Sequence, residues 1–86
     1  MQPPHTAICN AQSRTDARLA RWLLMAQDRV EADNLPLTHE FLSLMLGVRR
    51  AGVTDALKTL RQRGLISYVR GLITINDRRA MERFAG

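Results

Sequence analysis

At 86 residues the chain is long enough for one small domain, and its 45% of hydrophobic residues marks a globular chain, not a disordered one. No apolar run approaches the roughly 18–20 residues that cross a bilayer, and the N-terminus has no basic segment followed by an apolar one. The single cysteine, Cys9, has no intramolecular partner, and with His5 and His39 it offers too few ligands for a metal. A reduced, cytoplasmic protein without cofactor or metal, and with no membrane partner, is therefore expected.

Residues 1–12, with two early prolines and no periodicity, read as a lead-in or linker remnant, and a single domain is expected over 13–86. Ser13 begins the first helix, with Asp16 three residues on as in a capping box. Leu19, Trp22, Leu23, Ala26 and Val30 recur at helical spacing and predict one apolar stripe, with Trp22 as a core anchor and Arg14, Arg18 and Arg21 outside the stripe. The helix should fade near 29–32 into the polar loop Glu31-Ala32-Asp33-Asn34. Leu35-Pro36-Leu37 suits a brief edge strand or extended lead-in.

Thr38 is then a good N-cap, with Glu40 in the first turn. Phe41, Leu42, Met45 and Leu46 carry the apolar face, and Gly47 ends the helix in the left-handed conformation. Val48 is placed to pack inward. A second helix runs from about Arg50 to Arg63, with Val53, Ala56, Leu57 and Leu60 facing the core. Its opposite face holds Arg50, Ala51, Thr54, Asp55, Lys58 and Arg61. Gly52, in the first turn, either allows close approach to a ligand or to the preceding helix, or is simply tolerated there.

Gly64 stops this helix, and Leu65 supplies the apolar contact that accompanies such a stop. The β-prone runs 65–69 and 72–75 flank Arg70-Gly71 and predict a hairpin. Asp77 can cap a last short helix that returns Met81 and Phe84 to the core. The order predicts a winged helix-turn-helix, mainly α with a small β wing, with the motif at 38–63 and the wing at 65–76.

Charge singles out the same region. Residues 1–48 carry four arginines against five acids, a net −1, whereas 49–86 carry nine Lys/Arg against three acids, a net +6. An excess confined to the second helix and the residues after it suits a polyanion binder. Twelve of the thirteen basic residues are arginine, whose planar fork suits guanine and phosphate. The second helix is therefore expected to enter a DNA major groove. Arg50 donates to guanine O6 and N7, Ala51 touches a thymine methyl, and Thr54 and Asp55 refine neighbouring positions. Thr38, His39, Arg49, Lys58, Arg61 and Arg70 are assigned to the sugar-phosphate backbone, with Arg70 at the wing tip.

Several stretches carry a family resemblance. Arg18-Leu19-Ala20-Arg21-Trp22-Leu23-Leu24, Leu37-Thr38-His39-Glu40, Leu46-Gly47-Val48-Arg49-Arg50-Ala51-Gly52-Val53 and Gly64-Leu65-Ile66 resemble the C-terminal DNA-binding domain of the Crp/Fnr transcription regulators. The likeness runs from about Ser13 to about Met81. It implies a homodimer on a palindromic operator in double-stranded DNA and the recruitment or hindrance of RNA polymerase. It places Arg50 at the guanine-contacting position and Thr38 at a phosphate. This chain departs from many members at Arg49, where they carry serine, and at Ala51, where they carry glutamate. Asp55 stands where some have a second arginine, so an operator of its own is expected. The resemblance also implies a nucleotide-binding β-roll and a long dimerisation helix. Nothing in these residues is expected to form either one, or an effector pocket.

No Ser/His/Asp set or pair of carboxylates suggests catalysis, so an enzyme is not expected. The competing reading is a winged-helix protein-interaction module that does not bind DNA.

Overall fold

The computed structural model describes the backbone of residues 4–32 and 34–86, and side chains from residue 12 onward except at 33. The side chains of His5 and Cys9, weighed above as metal ligands, lie outside the described residues. Among the described residues, four helices and three strands occur in the order α1 (Pro4–Val30), β1 (Asn34–Pro36), α2 (His39–Leu46), α3 (Arg50–Gln62), β2 (Ile66–Val69), β3 (Leu72–Ile75) and α4 (Arg78–Ala85). The fold is a winged helix-turn-helix.

The first helix departs from expectation at both ends. It begins at Pro4, not at Ser13, and runs 27 residues, about 40 Å at the α-helical rise. Proline suits a first helical position because its missing N–H has no intrahelical acceptor there. No glycine or further proline interrupts the next twenty-six residues. Ser13 is thus interior and caps nothing. Asp16, expected in a first turn, is buried at 7% exposure and accepts a 2.9 Å hydrogen bond from Gln12 Nε2. The lead-in expected over 1–12 is helical from Pro4, and the expectation that no long helix can form is likewise overturned. At the other end Val30, expected in the apolar stripe, is exposed. Glu31 comes next at φ +50° and ends the helix. Buried Leu19, Ala20, Leu23 and Leu24 form the face of α1 that α3 and α4 cover. Trp22 is half-buried and meets Phe41 edge to face, with ring centroids 5.9 Å apart.

The capping residues after α1 act as read from the sequence. The Thr38 hydroxyl accepts from the Phe41 N–H at 3.0 Å, and Gly47 adopts φ +67°. The Asp77 carboxylate accepts from the Ala80 N–H at 3.1 Å. Past Gln62, Gly64 turns left-handed at φ +73°, and the Leu65 N–H returns to the Leu60 carbonyl at 3.0 Å. Leu65 is buried there, as the helix stop requires.

On α2 only Leu42 and Leu46 are buried. Phe41 and Met45, assigned to the core face, remain 41% and 49% exposed. An eight-residue helix turns only a narrow stripe inward, and α1 covers it at one side. On α3, Val53, Ala56, Leu57 and Leu60 are buried as their spacing predicts. They pack with Leu19, Leu23, Leu35, Ile66, Ile73, Met81 and Ala85 in one core. Val48 and Phe84 pack at its edge.

The wing has one strand more than the two-stranded hairpin predicted. β1 pairs antiparallel with β3, Leu35 opposite Ile73, so the sheet order is β1-β3-β2. Pro36 is tolerated because β1 is an edge strand. β2 and β3 register Val69 opposite Leu72, leaving Arg70-Gly71 as a two-residue loop. Both loop residues have positive φ, +53° and +78°, which is the type I′ geometry that matches strand twist. The Leu37 N–H bonds the Gly71 carbonyl at 3.1 Å and draws the wing tip beside the start of α2.

Candidate nucleic-acid interface

At 100° per residue, positions 50, 54, 58 and 61 fall within about 80° of the helix circumference, with 51 and 55 beside them. That sector flanks the buried stripe, its middle about 110° round the helix from the middle of the stripe, and all six side chains are exposed. Arg50 and Arg61 both lie close enough to His39 at the start of α2 to act on it electrostatically. The turn Gly47-Val48-Arg49 therefore sets α3 beside the N-terminus of α2, with charges from both its first and its last turn acting there. The hairpin tip with Arg70 comes to the same end through the bond between Leu37 and Gly71.

Four arginines are engaged within the fold. Arg18 Nη2 donates to the Leu46 carbonyl at 2.7 Å, and Arg21 Nη1 to the Ala85 carbonyl at 2.7 Å. Each guanidinium thus closes the C-terminal end of another helix, where unpaired carbonyls and the dipole favour a cation. Arg78 bridges Asp28 at 2.8 Å and Glu82 at 3.2 Å and donates to Gln27. Arg63 lies 5.0 Å from the centre of the Phe84 ring. Arg49, Arg50, Lys58, Arg61 and Arg70, by contrast, have no hydrogen-bond or ion-pair partner among the described residues. All five are cations the sequence assigned to base or backbone, and Arg14, Arg29, Arg79 and Arg83 likewise have no hydrogen-bond or ion-pair partner among the described residues. The arginines that hold the fold were not separable in sequence, since their carbonyl partners lie 28 and 64 residues away.

Thr38 keeps its hydroxyl proton while its oxygen caps α2. His39 is half-buried. Its ring lies 5.3 Å from that of Tyr68, tilted by 31°, and its Nδ1 is 2.8 Å from Thr54 Oγ1. The Thr54 hydroxyl in turn donates to the Arg50 carbonyl at 3.1 Å. Desolvation first, then the charges of Arg50 and Arg61, lower the His39 pKa from its usual 6.5. The sequence assigned His39 and Thr54 to different tasks and contained no sign that they touch.

Gly52 does not owe its place to helix packing. A methyl group there would meet only Val48 Cγ2, at 4.0 Å, an ordinary contact. Asp55 is exposed with no partner among the described residues. No group of His, Cys, Asp and Glu suited to a metal occurs among the described residues, and no described helix is long and apolar enough to cross a membrane.

A profile of the Crp-like helix-turn-helix domain matches residues 17–84. A solved structure from Eubacterium rectale, described as a transcriptional regulator of the crp/fnr family, is 33% identical, with a TM-score of 0.78 over 81% of this chain and 32% of its own. A CRP-family transcriptional regulator from Thermus thermophilus is 26% identical, with a TM-score of 0.73 over 90% of this chain and 44% of its own. The catabolite activator protein of Thermus thermophilus, 19% identical, superposes with a TM-score of 0.87 over 93% of this chain and 38% of its own, a likeness of fold. The chain thus spans from 32% to 44% of the length of these structures. No curated protein matches it significantly in sequence.

Proposed function

This chain belongs to the Crp-like helix-turn-helix family, and from that premise we propose that it binds double-stranded DNA sequence-specifically as a transcription regulator. The observation that carries the reading is the exposed, uncommitted cationic face of α3, set beside Thr38 and the wing tip. In this reading α3 lies in the major groove. Arg50, at its first turn, donates two hydrogen bonds to guanine O6 and N7, worth about 1–3 kcal/mol of discrimination. Ala51 meets a thymine methyl, and Thr54 and Asp55 act on neighbouring positions, Asp55 as an acceptor for cytosine N4. Thr38, His39, Arg49, Lys58, Arg61 and Arg70 hold the phosphates and set the register.

A single copy engages one half-site and binds weakly. A homodimer on a palindromic operator, with half-sites about 34–36 Å apart, gains the second contact at high effective concentration. The regulatory outcome would come from recruiting or hindering RNA polymerase at such a site. A protein-interaction module would not need three uncommitted cations on the outer face of α3, with Arg49 at its N-cap and Arg70 in the hairpin loop.

Selection of bound sequences from a random duplex pool tests the reading and returns the half-site spacing. Arg50→Ala is expected to relax preference at one guanine, and Arg70→Ala to weaken all sequences alike. An unchanged preference in Arg50→Ala, with an altered one in Arg70→Ala, would reverse the assignments. With about four to six phosphate contacts, affinity should fall about 10²–10³-fold between roughly 50 and 200 mM salt.

A further inference from the structure

Thr54 sits one turn along α3 from Arg50 and is exposed on the outer face, so its hydroxyl looks like a hydrogen-bonding group for a base edge. The contacts around it indicate otherwise. A hydroxyl has one proton and two lone pairs. The Thr54 proton goes to the Arg50 carbonyl at 3.1 Å. With the proton so directed, the 2.8 Å contact to His39 requires Nδ1–H to donate into a Thr54 lone pair. If the proton pointed at Nδ1 instead, it would still be spent inside the protein. Either way, two neighbours from different elements fix the direction of Oγ1. His39 is itself held, since its ring lies against Tyr68, whose hydroxyl reaches the Leu37 carbonyl at 3.5 Å. Oγ1 thus has no proton for DNA and can at most accept through one lone pair, and the remaining heavy atom of the side chain is the methyl group Cγ2.

We infer that Thr54 reads DNA through its methyl group, selecting a thymine 5-methyl, and that His39 is the positioning residue that turns the Thr54 hydroxyl away from the groove. The inference rests on the DNA-reading function proposed above and deepens it. It replaces a hydrogen bond at this position with an apolar contact, and it gives His39 a part in specificity alongside any phosphate contact.

The test uses a duplex chosen by pool selection, with each thymine in turn replaced by deoxyuridine, which deletes only the 5-methyl group. Binding is monitored by fluorescence anisotropy. At one position wild type should lose about fourfold in affinity, the value of one buried methyl group. Thr54→Val, which keeps the methyl and lacks the hydroxyl, should retain that loss. Thr54→Ser, which keeps the hydroxyl and lacks the methyl, should abolish it. His39→Ala should reduce the discrimination by releasing the Thr54 rotamer. His39→Ala combined with Thr54→Val should restore it, because valine presents a methyl in either orientation. A purely structural His39 would change overall affinity without moving this ratio. Discrimination that survives in Thr54→Ser and fails in Thr54→Val overturns the inference, as does the absence of any thymine whose methyl matters through residue 54. If wild type selects no sequence from the pool, the DNA-reading function itself falls, and that outcome is separate from the other two.

Discussion

Replacing Arg70 with asparagine should stabilise the fold and weaken DNA binding at once, because two independent properties meet at the wing tip. Arg70 is held at φ +53° in a two-residue loop. The left-handed region costs an ordinary L-residue roughly 1–2 kcal/mol, and asparagine, whose short side chain bonds locally, tolerates it best after glycine. About 1 kcal/mol of that cost should be recovered. For a domain of this size the gain corresponds to roughly 4–8 °C in Tm, which circular dichroism reads directly. The same change removes a cation with no partner among the described residues. If Arg70 holds one phosphate, the slope of log affinity against log salt should flatten by about 0.9. Arg70→Lys, which keeps the charge and the strain, should leave both quantities near wild type. An unchanged Tm in Arg70→Asn would refute the strain argument, and an unchanged slope would refute the phosphate contact.

Arg18→Ala should behave in the opposite sense to a DNA-contacting arginine. Losing its 2.7 Å bond to the Leu46 carbonyl should cost about 1 kcal/mol in urea unfolding while the salt slope of DNA binding stays as it was. Gly52→Ala should stabilise α3 by about 0.5–1 kcal/mol, since a Cβ there meets only Val48 Cγ2 at 4.0 Å. A thermal melt checks this, and a drop in DNA affinity despite higher stability would mark Gly52 as a point of close approach to DNA. His39 should leave a pH signature. Its folded pKa is lowered below 6.5 by desolvation and then by Arg50 and Arg61. As pH falls, the unfolded chain therefore takes up the proton first. The resulting stability loss begins near 6.5 and is complete below the folded pKa. His39→Gln should remove that decline from a series of melts between about pH 5 and 8, and an identical decline in the variant would assign it to another group.

Much of the fold is local, and local features were readable. Val53, Ala56, Leu57 and Leu60 repeat at helical spacing and are buried. Thr38, Gly47, Gly64 and Asp77 act at helix ends as their chemistry dictates, and the residues flanking Arg70-Gly71 form the hairpin. Each depends on neighbours within a few positions, where propensity and hydrogen-bonding capacity suffice. The family likeness, the winged helix-turn-helix and the cationic outer face of α3 were therefore legible from the residues alone.

Tertiary structure decided the matters that depend on partners far apart in the chain. Arg18 and Arg50 are the same residue type, yet one closes α2 and the other is left free among the described residues. Only the packing of α1 against α2 separates them. Pairing of β1 with β3 joins residues about forty positions apart, which no short-range pattern encodes. The start of α1 at Pro4 was missed because Ser13 and Asp16 imitate a cap that helix continuation overrides. His39 and Thr54 meet across fifteen residues because the turn at Gly47 folds α3 back beside the start of α2. Local pattern and charge suffice to put a helix with a cationic outer face second in a helix-turn-helix. Which atoms on that face remain free to meet a ligand was decided only when the fold brought other residues against them.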